Sequence, residues 1–171
     1  SEKRSCALEN TQRRWRVKGL VAFSFALGAR EPNPCNIRLA QEVRRIVKEE
    51  YEVIVKVVQW EIAEPPNSRM PFTHVVREHR KKGAYLDSDE VMAQAAEVFR
   101  RYGINEVIPV ANPFVHLWAC KRLVRKAGFT PVSRRVGWIG FYRNSLQWWT
   151  RGPVRLVIYI VRYALTGRRG E

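Results

Sequence analysis

An α/β fold built round a mainly parallel sheet is predicted by three features of this sequence. Short apolar runs rich in β-branched residues alternate with helical stripes along the chain. The first run, Leu20–Leu27, is apolar almost throughout, the pattern of a central strand covered on both faces. Helix-start and helix-stop residues fall between the runs, as βα units require.

Taken in order, Leu20–Leu27 is the first strand and Gly28 closes it. After the turn-rich Arg30–Asn36, a helix places Ile37, Ala40, Val43 and Val47 on one stripe, with Asn36 as its cap. Tyr51–Val58 is the second strand, followed by Gln59, Trp60 and Glu61 and then the breaker-rich Glu64–Ser68. Residues 70–83 hold Val75 and Val76 among His74, Arg77, His79, Arg80, Lys81 and Lys82, which fits either a short helix or an active-site flap. Asp87-Ser-Asp-Glu90 is a capping box; Val91, Ala95, Val98 and Phe99 form the stripe behind it, and Gly103 stops the helix. Ile104–Val110 is the third strand. Asn112 and Pro113 then open a helix as cap and first helical residue, with Leu117, Cys120 and Val124 inward and Gly128 at its end. Phe129–Ile139 is the fourth strand expected. The last helix, Pro153–Leu165, should lay its apolar stripe on the sheet while Arg155 and Arg162 reach outward.

The 171 residues suit one domain, here 19–167, with a flexible basic arm at 1–18 and a tail at 168–171. The formal charge of +15 is lopsided: residues 100–171 carry 14 Lys and Arg against 2 acidic residues. Such a half expects an anionic partner, whether nucleotide, nucleic acid or anionic lipid. Cys6, Cys35 and Cys120 are odd in number and far apart, which suits reduced thiols facing the cytosol rather than a disulfide framework or zinc site. No apolar run approaches the roughly 18 residues of a membrane span. Arg13, Arg14 and Arg16 before the first run mimic a signal peptide, but a small-residue cleavage site is lacking. The expected location is therefore cytoplasmic, or peripheral to a membrane.

Open parallel sheets bind ligands beyond the carboxyl ends of their strands. That rule selects Gly28–Arg30, Gln59–Glu61, Asp87–Ser88 and Asn112–Pro113. The helix start at Pro113 favours a phosphate or carboxylate, and Arg30 and Arg38 would complete an anion site. His116, one turn into that helix, is either a ligand contact or a buried histidine bonded to a carbonyl. Glu61 and Glu64 are candidate bases with no identified partner. There is no G-x-S-x-G elbow, P-loop or complete G-x-G-x-x-G, and His74 and His79 do not share a helical face, so catalytic residues stay unassigned and no metal is expected. Trp138, Phe141, Tyr142, Trp148 and Trp149 alternate with Arg134, Arg135, Arg143 and Arg151, a pattern suited to stacking bases or to anchoring at a bilayer surface.

The order of these motifs resembles the bacterial YdcF, SanA and ElyC family, a domain of unknown function (218), over roughly residues 19–167. Leu27-Gly28 and Arg38 resemble its Gly-rich turn and Arg-bearing helix. Ser88–Ala95 resembles its Ser-x-x-Thr-x-x-Asn-Ala helix start, and Val110–Ala119 its strand end with a histidine, here His116. Ser145–Gly167 resembles the closing helix. Val91, Gln94, Ala111-Asn112 and Ala119 replace the family's Thr, Asn, Thr-Ser and Arg, and Gln59-Trp60-Glu61 stands where it has Ser-Gly-Gly. The resemblance implies a Rossmann-like three-layer domain of about four or five strands, with S-adenosylmethionine or another nucleotide as the candidate cofactor, and some members are linked to the cell envelope. The first expectation is a small anionic or nucleotide-like ligand held by Gly28, Arg30, Arg38, Trp60, Glu61, Ser88, Asn112 and His116. A membrane-surface protein using the basic aromatic C-terminal region is second, and nucleic-acid binding third.

Overall fold

The computed structural model describes residues 16–64 and 70–166. Its strands are β1 (Lys18–Ala22), β2 (Val53–Gln59), β3 (His74–Val76), β4 (Glu106–Val110) and β5 (Thr130–Pro131). They form one sheet of order β3-β2-β1-β4-β5, and every pairing is parallel. The helices are α1 (Pro34–Glu49), the short α2 (Trp60–Ala63), α3 (Ser88–Arg101), α4 (Val115–Lys126) and α5 (Pro153–Thr166), with a 3-10 turn at Trp148–Thr150. Right-handed crossovers put α1 on one face and the mutually packed α3 and α4 on the other, giving three layers. The α/β fold with a parallel sheet is the one the alternating pattern predicts.

The central strand is apolar because both its faces are covered: Leu20, Val21, Ala22 and Phe23 are wholly buried. Leu39, Val43 and Ile46 of α1 complete the core on one side; Val91, Ala95 and Phe99 of α3 complete it on the other. Gly19 permits the second contact, since a Cβ there would lie 2.6 Å from Cε1 of Phe99. At the amino end of the sheet, Lys18 Nζ pairs with Glu50 (3.1 Å) and Glu52 (2.6 Å), and Arg134 adds a second cation to Glu50. These charges lie at the opposite end from the carboxyl edge of the sheet.

Several elements differ from expectation. Residues 70–83 supply the three-residue edge strand β3 rather than a helix, because Val57 to Gln59 offer it a ladder. Asn33, not Asn36, caps α1; its Oδ1 accepts the amides of Cys35 (2.9 Å) and Asn36 (3.2 Å). The α4 helix begins at Val115, after Phe114 at φ +70°, so Asn112 and Pro113 precede it. Asn112 uses its side chain elsewhere, donating Nδ2 to the carbonyl of Gly140 (2.9 Å).

The expected fourth strand at 129–139 shrinks to Thr130–Pro131. The chain beyond it runs as an irregular strap along α1, whose side chains satisfy its backbone in place of a ladder. Arg45 donates to the carbonyl of Arg135, Glu42 accepts the amide of Gly137 (2.8 Å), and Arg38 donates to the carbonyl of Ile139 (2.8 Å). The strap thus climbs from the middle of α1 toward its N-terminus and the carboxyl edge. Finally, α5 does not lie on the sheet: it has no buried residue and packs on the 3-10 turn before it. The proposed arm and tail fall largely on residues 1–15 and 167–171, and Cys6 with them, outside the described residues.

Candidate functional site

The sheet order places its topological switch point at the carboxyl ends of β1 and β4, where the two crossovers depart to opposite sides. Phe23 extends the ladder by one bond, its amide meeting the carbonyl of Val110 at 2.9 Å. The chain then leaves the sheet. The next two amides bond to side-chain carbonyls: Ser24 to Gln59 Oε1 (3.0 Å) and Phe25 to Asn36 Oδ1 (2.9 Å). Ala26 follows with φ +65°, so the β1 exit, like the β4 exit at Phe114, carries a non-glycine residue in a sparsely allowed conformation.

Around this loop the site divides into three groups. The first centres on Glu31, whose carboxylate is saturated. Oε1 accepts the amide of Gly28 (2.8 Å) and Nδ2 of Asn33 (3.0 Å); Oε2 accepts the amide of Asn33 (2.8 Å) and Nδ2 of Asn36 (3.2 Å). The donors expected to receive an external anion at Gly28 therefore already hold an internal one. Arg30 is exposed, and Arg38 spends a guanidinium N–H on Ile139. Arg38 and Asn112 do converge, but on the carbonyls of Ile139 and Gly140, where they fasten the strap.

The second group centres on Glu61, in the first turn of α2 and 4% exposed. Its Oε1 is 3.5 Å from Nε2 of Gln59, while its Oε2 is buried and without a hydrogen-bond partner among the described residues. Burial pushes its carboxyl up to about 7; the negative charge of Glu31 adds to this, while its own backbone amide, Ser24 and Gln59 pull it back. Trp60, beside it, is half-buried. Glu64 is instead paired with Arg77 at 3.2 Å. Tyr85 faces the same charges. Burial of its hydroxyl, with Glu61, Asp87 and Glu31 near, pushes it up to about 12, against a hydrogen bond from Gln147.

The third group joins the helix starts of α3 and α4. Asp87 caps α3 through the amide of Glu90 (2.9 Å), as the capping box predicts. Ser88 Oγ lies 3.3 Å from Nε2 of His116, so two residues selected from separate sequence motifs meet. The His116 ring packs between Phe23 (6.4 Å) and Phe25 (5.8 Å). Burial holds it down at about 4, which leaves a neutral imidazole at pH 7, and its Nδ1 has no hydrogen-bond partner among the described residues. Cys120, one turn further, is a buried free thiol pushed up by desolvation.

Successive residues of the β1 exit bridge the last two groups, since Ser24 approaches Glu61 and Phe25 packs on His116. Sequence reasoning missed Glu31, Tyr85 and Ser24. No local motif marks them, and only the path of the chain gives them a role. A carboxyl that can hold or release a proton near neutrality, a neutral imidazole and a phenol can together bind hydroxyls and amines or move a proton. No family model, characterised protein or solved structure matches this chain.

Proposed function

We propose that this protein binds a small nucleoside-like ligand over the carboxyl edge of the sheet, in contact with Glu61 and His116. One observation carries the reading: among the described residues, the two buried side-chain polar atoms without hydrogen-bond partners, Oε2 of Glu61 and Nδ1 of His116, both belong to that edge. Buried polar atoms are rarely left unsatisfied, and a polar ligand would satisfy both. A carboxylate just after the second strand is also where open α/β sheets hydrogen-bond ribose hydroxyls. The saturated Glu31 argues against a phosphate at the Gly28 turn, where it would meet a carboxylate instead of free amides. The anionic part of the expected ligand is thereby disfavoured and the nucleoside part retained. S-adenosylmethionine, which has no phosphate and carries a positive sulfonium, is the first candidate, and the resemblance to the YdcF-like family points the same way.

The test is a thermal-unfolding screen with S-adenosylmethionine, adenosine, AMP and ATP on the wild type, Glu61→Gln and His116→Ala. Ligand at about 100 times its Kd should add roughly 2.7 kcal/mol of stability to the wild type. Adenosine and S-adenosylmethionine should act, ATP should not, and both variants should lose the effect. No shift with any of the four compounds, or a shift undiminished in both variants, overturns the reading.

A further inference from the structure

Independently of that ligand site, we infer that α5 and the aromatic turn beneath it dock the protein on an anionic bilayer surface. Val154, Val157, Ile158, Val161 and Leu165 fall at i, i+3, i+4, i+7 and i+11, one apolar stripe. All five are between 52% and 81% exposed, although a stripe of this kind on a globular domain faces a core. The inner face of the helix is a different set, Leu156, Tyr159 and Ile160, which are half-buried. Tyr159 stacks on Trp149 with centroids 4.6 Å apart, meets Trp148 edge-on at 6.2 Å and stacks on Tyr163 at 6.4 Å. The helix is therefore seated by aromatic rings, with its apolar stripe turned away from the domain.

Charge identifies the occupant. Arg155 and Arg162 share the face beside the stripe, and between Glu106 and Glu171 the sequence contains no acidic residue. A second copy of the helix would add two more arginines and no acidic residue to pair them. An anionic headgroup layer receives the arginines while the acyl region receives the stripe. The helix lies on the surface and does not cross it: among the described residues, no helix is long and apolar enough to span a membrane.

The experiment is co-sedimentation of the whole chain with vesicles of phosphatidylcholine alone and of phosphatidylcholine mixed with phosphatidylglycerol. Binding to the mixed vesicles should be at least tenfold tighter, since each arginine at the surface is worth about fivefold. The charge-neutral pair Val157→Asn and Val161→Asn should weaken that binding at least tenfold, and Arg155→Gln with Arg162→Gln by roughly twentyfold. Circular dichroism checks that each variant keeps its helix; if the first pair does not, Val154→Asn with Leu165→Asn probes the same stripe at its ends. Equal binding to the two vesicle types overturns the proposal. So does undiminished binding by the asparagine variants, which would assign adsorption to net charge alone. A dimer that the asparagine variants abolish, with no vesicle binding, overturns it in favour of a second copy.

Discussion

The fold favours the neutral form of both Glu61 and His116, and their effects on stability run in opposite directions with pH. Glu61 is raised from 4.5 to about 7. Its contribution is complete below the unfolded-state value and is lost as pH rises through about 7. His116 is lowered from 6.5 to about 4, so stability is lost as pH falls from 6.5 toward 4, where the unfolded chain takes a proton that the native one refuses. Between about pH 4.5 and 6.5 the two slopes oppose, and the wild type should be nearly flat in urea unfolding. Glu61→Gln should then lose stability toward acid and, at pH 8, exceed the wild type by on the order of 2–3 kcal/mol. His116→Gln should instead lose stability toward alkali. If Glu61 accepts ligand hydroxyls, the ionised form binds. Ligand affinity should therefore weaken by up to about tenfold per unit as pH falls below 7, and isothermal titration at pH 6 and 8 reads this directly.

At the scale of elements, stability rests on close approaches and on caps. Gly19→Ala would drive a methyl into the wholly buried Phe99 ring and should cost about 1–3 kcal/mol, measured by denaturant unfolding. Asn33→Ala removes the α1 cap and the bonds that Nδ2 makes to Ala26 and Glu31, and should cost about 2–3 kcal/mol. Helices α1, α3 and α4 were legible because each repeats its apolar residues at a helical spacing. The α3 start was legible to the residue, through Asp87 and Glu90. The caps of α1 and α4 were not: Asn33 and Asn36 are equivalent as letters, and Pro113 precedes a strained Phe114 that no propensity foretells. Phe129–Ile139 failed as a strand because beyond Pro131 it runs as the strap itself, whose hydrogen-bond partners are side chains on α1 far away in sequence.

For the whole molecule, the parallel sheet followed from local pattern, and one topological rule picked out its carboxyl edge as the candidate site. The occupancy of the Gly28 turn was not legible, because only the fold shows that Glu31 takes the very amides that made Gly28 attractive. Nor was the fate of the last helix, whose stripe reads the same whether it meets a sheet or a bilayer. The fold closes without it. Ending the chain after Gly152 should leave the unfolding midpoint within a few degrees of the original, since none of the described residues removed, Pro153–Thr166, is buried. The same truncation should remove vesicle binding.

The loop that leaves β1 is fastened from very far along the chain. Ser145 accepts the Leu27 amide at 3.1 Å across 118 residues, and the amide of Leu146 returns to the carbonyl of Leu27 at 2.7 Å. This gives the site a place in time. During synthesis all five strands have emerged once Pro131 is made, yet the contacts on Phe25 and Leu27 wait for Phe141, Ser145 and Leu146. These bonds lie outside the sheet ladder and the helices, so they should also be among the first to open in the finished protein. Hydrogen exchange should find the amides of Leu27 and Leu146 leaving together, at a lower free energy than the amide of Phe25, whose partner Asn36 is held in α1. The site is the last part of the fold to be completed and the first to be undone.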